Sequence, residues 1–226
     1  MREQLLDLKS AFPDLDDYIL HELEKIAHVR ILAPQEVLYH YGEVARSFYV
    51  VLNGAVRLVQ YNNNGSKIVT LKIYGHHDIF GLLAISGAYR HPNEVNAICR
   101  STIAAFDGKE TRHLMMQHPK LALYIMDLLV NHVHHAYDRL NQMAAQQVSQ
   151  RLAHALLQLT DKFGNVEEGY ISIDLPISQQ EIAEFVGASV ETINRVLSQW
   201  EKQGVLKRSR QHIDILDFAA LNNLRH

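Results

Sequence analysis

Residues 177–204 read ISQQEIAEFVGASVETINRVLSQWEKQG, and this stretch decides the C-terminal fold. Ser178 with Glu181 three positions on makes a capping box, so the spacing predicts a helix opening at Gln179. Ile182, Ala183, Phe185 and Val186 give that helix an apolar side, and Gly187 ends it. Ala188 is small enough for the chain to pass close to its neighbour. Ser189 then caps a second helix, with Ile193, Val196, Leu197 and Trp200 on its buried side. A helix, a glycine turn and a second helix form a helix-turn-helix, which sets its second helix in the DNA major groove. An ordinary helical hairpin shares this spacing, so the outward-facing residues must decide.

Those residues suit a base edge. Val190, Glu191, Asn194 and Arg195 lie near the N-terminal, outward end of the second helix, the part of a recognition helix that meets bases. Arginine matches guanine O6 and N7 in a two-pronged contact, and glutamate accepts from the cytosine amino group. Glu191 and Arg195 are four apart and share a face, so a surface ion pair is the competing reading. Ser178, Gln179, Ser189 and Thr192, at the two helix starts, complete the DNA-contacting candidates. Downstream, Lys207, Arg208 and Arg210 precede the alternating run His212-Ile213-Asp214-Ile215, which reads as a hairpin with a basic tip. Such a wing would follow the phosphate backbone and displace condensed counterions.

Composition limits the alternatives. The 226 residues are 47% hydrophobic and 21% charged, ordinary for a globular chain of one large or two small domains. A net charge of −3 gives no global basic field, so DNA affinity must come from a local patch such as residues 202–210. The single cysteine, Cys99, excludes an internal disulfide and a four-cysteine iron–sulfur site. The opening MREQLLDLKS is too short and too charged for a signal peptide, and the apolar run 121–130 contains Asp127 and is too short to span a bilayer. A cytoplasmic protein without a membrane partner is expected.

Upstream, residues 15–27 read as a short amphipathic helix, with Leu15, Ile19, Leu23 and Ile26 on one face. From Val29 to about Phe106 the chain turns to short β runs: 36–39, 48–52, 55–61, 68–73 and 102–106. Asn53-Gly54 and Asn62 to Gly65 are hairpin signals between them. Many short strands with regular turns suggest a sandwich or jelly roll. Helical pattern resumes at about Lys109 and runs to Lys162. Within it Met126, Leu129, Val133, Ala136, Leu140 and Met143 are spaced 3, 4, 3, 4 and 3, the seam of a two-stranded coiled coil. A homodimer would suit a palindromic operator, because two recognition helices then sit about 34–36 Å apart. Residues 144–150 read as a hinge, 163–169 as a polar turn and 171–173 as a strand. The expected organisation is α+β: a β jelly roll over 1–110, a dimerisation helix and hinge over 111–147, and a winged helix-turn-helix over 148–226.

This order of parts resembles the CRP/FNR family of bacterial transcription regulators over nearly the whole chain. The residues that carry the likeness are FYVVLNGAVR at 48–57, the Asp78-Ile79-Phe80-Gly81 turn, and VGASVETINR at 186–195. The resemblance implies a cyclic-nucleotide-binding-like sensor domain, RNA polymerase as a partner, and reading of a TGA-type core in each half-site by Glu191 and Arg195. Val190, where cyclic-AMP-responsive members have arginine, is closer to the FNR side, and Asn194 stands where that side has serine.

The sensor half departs from the family pattern. Cyclic-AMP-binding members follow Phe-Gly with Glu, where this chain has Leu82, and hold the cyclic phosphate with an Arg-Ser pair, where it has Glu94-Val95. A carboxylate there repels phosphate. Ala136-Tyr137 stand where those members have the Thr-Ser that touches the base. No cyclic-nucleotide binding is therefore expected. Phe80, Gly81, Leu82, Leu83, Tyr89, Glu94, Val95, Ala136 and Tyr137 remain the effector-pocket candidates. Leu82, Leu83, Ile85 and Tyr89 could instead fill the pocket and leave the regulator without an effector.

Fourteen histidines keep a haem- or metal-dependent sensor open as an alternative, with His76, His77, His132 and His135 as candidate ligands. Adjacent strand residues face opposite ways, so His76 and His77 are not expected to enter one pocket together. A cupin-like metalloenzyme would need a His-x-His in the strands, but that pattern occurs at His132-Val133-His134, on a helix. No nucleophile–base set stands out, so the chain is read as a regulator and not an enzyme.

Overall fold

Buried backbone N–H and C=O groups need partners, and the described strands pair in four-stranded sheets. The computed structural model describes residues 7–61, 68–209 and 212–225. It opens with α1 (Leu8–Ala11) and α2 (Asp17–Ile26), then β1 (Ala27–Leu32), β2 (Val37–Tyr39), β3 (Ser47–Asn53), β4 (Val56–Tyr61), β5 (Ile68–Tyr74) and β6 (Ile79–Phe80). A 3-10 turn at Leu82–Ser86, β7 (Glu94–Ala97) and β8 (Ser101–Asp107) follow. One sheet runs β1-β8-β3-β6 and the other β2-β7-β4-β5, the double-sheet layout of the expected jelly roll. In the first sheet β8 is central, with Val29 of β1 and Val50 of β3 both opposite Ala104. Gly54 turns β3 into β4 at φ +84°, and a Cβ there would meet the Arg100 carbonyl at 2.6 Å, so only glycine fits. The Asn62 to Gly65 turn lies outside the described residues.

Two cores follow from the alternation of side chains along β3 and β8. Phe48, Val50, Ala104 and Phe106 face Phe12, Leu15 and Leu23 of the N-terminal segment and Leu121 and Ile125 further on. Tyr49, Val51 and Ile103 face the other way, onto Tyr39, Tyr74, Phe80 and Val95 between the sheets. Fully burying one such aliphatic or aromatic side chain is worth about 1.5–3 kcal/mol, so these two layers stabilise the barrel.

The helical segment comprises α3 (Gly108–Gln117), α4 (Pro119–Ala145) and α5 (Val148–Phe163). Within the stretch 144–150 read as a hinge, only Gln146-Gln147 separate α4 from α5, and Gln147 caps α5 reciprocally with Gln150. Next come β9 (Gly164–Glu167), β10 (Tyr170–Ile173), α6 (Gln179–Val186), α7 (Val190–Lys202), β11 (Leu206–Ser209), β12 (His212–Ile215) and α8 (Phe218–Asn223). Their sheet runs β11-β12-β10-β9. The stretch read as a polar turn thus contains β9, an edge strand paired with β10. Asn165, Val166 and Glu167 are all exposed, so no alternation marked the strand. The chain divides into two compact units: the described residues up to Leu58 with Ile73–Ala136, and Val59–Lys72 with Tyr137 onward.

Candidate functional site

The start of α6 is fixed by its own side chains. Ser178 Oγ accepts the Glu181 N–H at 3.2 Å, and Glu181 Oε2 accepts the Ser178 N–H at 2.8 Å. Gly187 closes the helix at φ +73°, which L side chains rarely adopt. Ser189 then caps α7 by accepting the Thr192 N–H at 3.3 Å. Ile193, Leu197 and Trp200 are buried, while Val196 is only half-buried. This anchoring leaves the opposite side of α7 to solvent.

Glu191 and Arg195 are both exposed on α7 and, among the described residues, form no ion pair with each other. The competing surface pair is therefore not made. Glu191 lies in the first turn, where its own backbone N–H, then the Ser189 hydroxyl, holds its carboxyl below the ordinary carboxylate range. It is thus an ionised acceptor, and the five-donor fork of Arg195 is unengaged among the described residues. Gln179 is exposed at the start of α6, and Val190, Thr192 and Asn194 are half-buried on α7.

The wing hairpin pairs Lys207 with Asp214 and Arg208 with Ile213. Lys207 is exposed, and Arg210 lies outside the described residues. Arg208 departs from expectation. It does not lie open along the hairpin but folds back on α7, donating to Asn194 Oδ1 at 3.3 Å, to Ser198 Oγ at 3.1 Å and to the Glu201 carboxylate. Its hydrogen bond to Glu201 holds that carboxyl below its ordinary range. Sequence reasoning missed Glu201, which stands seven residues before Arg208 on another element, so no local signal marked their pairing.

The effector candidates do not converge. Phe80 is buried between the sheets in an aromatic stack: Tyr74–Phe80 ring centroids are 4.8 Å apart, Tyr49–Phe80 5.2 Å, Tyr39–Tyr49 5.7 Å and Tyr39–His91 3.6 Å. Val95 is buried in the same cluster. Leu82 packs instead into the other core, against which Ile85 also lies, while Leu83 and Tyr89 are exposed. The 3-10 turn that follows Gly81 carries these side chains away from the intersheet space. The aromatic rings, and not Leu82, Leu83, Ile85 and Tyr89, fill it. Glu94 is buried and 2.8 Å from His40 Nδ1. Ala136 and Tyr137 are exposed on α4.

Of the candidate metal ligands, His76 and His77 occupy the turn between β5 and β6 with their rings 3.5 Å apart, so strand alternation does not separate them. His132 Nδ1 lies 2.9 Å from the Leu128 carbonyl, and His135 is exposed. Among the described residues no group of three or more His, Cys, Asp or Glu could hold a metal ion. Along α4, Met126, Leu129, Val133, Leu140 and Met143 are exposed large apolar residues, with Leu140 at 62%. Met143 also approaches the end of α6, where a Cβ on Gly187 would lie 3.6 Å from its Cε.

Comparison with known proteins completes the description. A family model described as "Cyclic nucleotide-binding domain" matches residues 29–118, and one described as "Crp-like helix-turn-helix domain" matches residues 150–224. The CRP-like cAMP-activated global transcriptional regulator of Mycobacterium tuberculosis is 26% identical over 176 residues, 78% of each chain. The nitrogen fixation regulation protein FixK of Bradyrhizobium diazoefficiens is 26% identical over 211 residues, covering 93% of this chain and 87% of that protein. The structure of FixK2 from Bradyrhizobium japonicum superposes with a TM-score of 0.80 at 23% identity, over 89% of this chain and 98% of that one. A CooA mutant from Carboxydothermus hydrogenoformans superposes with a TM-score of 0.74 at 20% identity, over 99% and 97%. No helix among the described residues is long and apolar enough to cross a membrane.

Proposed function

This chain belongs to the CRP/FNR family of transcription regulators, and from that premise we propose that it acts in the cytoplasm as a homodimer on palindromic promoter sites. Residues 1–110 serve as the sensor, 111–147 as the dimerisation helix and hinge, and 148–226 as the DNA-binding part. The observation that carries the reading is the exposed, mutually unpaired Glu191 and Arg195 on the anchored helix α7. Ser178, Gln179, Ser189, Val190, Thr192, Asn194 and Lys207 are further contacts, as is Arg210, which lies outside the described residues. The exposed seam from Met126 to Met143 supports dimerisation, since burying such a stripe is favourable and a long apolar face asks for a cover. Bound at a promoter, the dimer recruits or blocks RNA polymerase.

The effector is not cyclic AMP. Glu94, near the position where a phosphate would sit, is a buried carboxyl engaged with His40, and aromatic side chains occupy the space between the sheets. An effector acts by favouring one of the arrangements of the two recognition helices. Gel shifts on duplexes with one or two half-sites, run beside a calorimetric titration with cyclic AMP, test the proposal. It predicts stronger binding to the paired site and no heat. Equal affinity for both duplexes, or micromolar uptake of the nucleotide, contradicts it.

A further inference from the structure

Arg208 belongs to the wing by sequence but to the recognition helix by contact. Its side chain is only 18% exposed, and among the described residues its Nε is buried without a hydrogen bond, so most of the guanidinium is turned from solvent and is not laid open for a phosphate. Glu201 grips it twice, through the carboxylate to Nη2 and through an acceptor 3.0 Å from the Arg208 backbone N–H. Ser198 Oγ adds a third hold at 3.1 Å. So held, the guanidinium reaches Asn194 at 3.3 Å.

That contact settles which way the Asn194 amide points. The oxygen and nitrogen of an amide are usually hard to tell apart, but a guanidinium can only donate, so the atom facing it must be the oxygen. Asn194 follows Glu191 by three residues, the spacing of neighbours on one helix face. With one lone pair of its oxygen taken and that oxygen turned toward Arg208, Asn194 leads into a groove with its amino group.

We propose that Arg208 is a specificity-determining positioning residue, which turns the Asn194 amide so that its amino group leads and so selects guanine or thymine at the base it meets. A free asparagine pairs best with adenine, giving a hydrogen bond to N7 and taking one from N6. That pairing needs the oxygen and the amino group side by side on the edge facing the base; the oxygen keeps a second lone pair, but the tether turns it toward Arg208 and off that edge. Guanine offers O6 and N7 and thymine O4, all acceptors, whereas the amino groups of cytosine and adenine would meet a donor. The inference rests on the DNA-binding reading above.

Selection from a randomised half-site, with the full-length protein, tests it. The position lost on Asn194→Ala marks the base Asn194 meets. There the wild type prefers guanine or thymine by about 5-fold, the lower end of the discrimination that a two-pronged base contact gives. The double variant Arg208→Met with Glu201→Gln keeps the packing and leaves no uncompensated charge. It moves the preference at that position to adenine, while binding to random duplex and its salt dependence stay as in the wild type. Thermal melting and random-duplex binding confirm that it is folded. Adenine preferred by the wild type, or no change in the double variant, overturns the inference alone. So does a uniform loss of affinity with a salt slope smaller by about one, which marks a phosphate contact. A wild type that selects no sequence instead overturns the DNA-binding reading, and this inference with it.

Discussion

The Arg139 guanidinium lies 4.9 Å above the Phe185 ring and donates to the Phe185 carbonyl. Arg151 reaches the next two carbonyls, Val186 at 3.1 Å and Gly187 at 3.5 Å. Two cations thus cap the C-terminal, negative end of α6. Burial, with the neighbouring Arg151 charge, lowers the Arg139 pKa from its ordinary high value, yet an arginine stays charged at any working pH. Arg139→Met should destabilise this unit by about 1–2 kcal/mol, the loss of charge-assisted hydrogen bonds that are only partly shielded from water. Trp200, the chain's one tryptophan, is buried in α7 and reports the unfolding by fluorescence in urea. An unchanged midpoint would show that the clasp contributes nothing.

The apolar seam makes a prediction about assembly. Val133 is 52% exposed at the middle of the stripe, where two copies of α4 would meet across a dyad. Val133→Asp places two like charges face to face in that contact, which is repulsive and poorly hydrated. Light scattering should show the mass halved, with affinity for a paired half-site falling and that for a single half-site retained. A variant that keeps the mass of the wild type removes the seam from the interface.

His91 should give the N-terminal unit an acid sensitivity. Its ring is buried against Tyr39, and burial holds its pKa below the ordinary imidazole value near 6.5. The folded state therefore keeps His91 neutral where the unfolded chain already takes up a proton. Its contribution to stability is full above about pH 6.5 and is lost as pH falls through the lowered folded value. Urea midpoints followed by tyrosine near-UV dichroism should drop between pH 7 and pH 5.5. His91→Phe, which keeps the stacking, should flatten that slope, and an unaltered slope places the effect on another group.

The helix-turn-helix was legible because its signals are local. The capping box at Ser178, the stop at Gly187 and the cap at Ser189 each involve residues within four positions, and each forms as read. The jelly roll was legible from strand and turn spacing, but its edges were not. β9 is an edge strand whose Asn165, Val166 and Glu167 are all exposed, so it carries no alternation, and β6 has two residues. Long-range placement was out of reach for another reason. Whether Leu82 or Tyr39 fills the space between the sheets depends on a 3-10 turn that redirects the chain after Gly81. Arg208 and Glu201 are seven residues apart on different elements, so their pairing depends on how β11 returns past α7.

The role of α7 is tested most directly by competition gel shifts on a library of half-sites, comparing the wild type with Arg195→Ala. An arginine that reads a base should cost about 1–3 kcal/mol when removed and flatten preference at its own position. The account predicts that the wild type ranks the library steeply and that the variant loses the ranking at one base pair in each half-site while binding random duplex as before. An Arg195→Ala protein that ranks every half-site as the wild type does would contradict it.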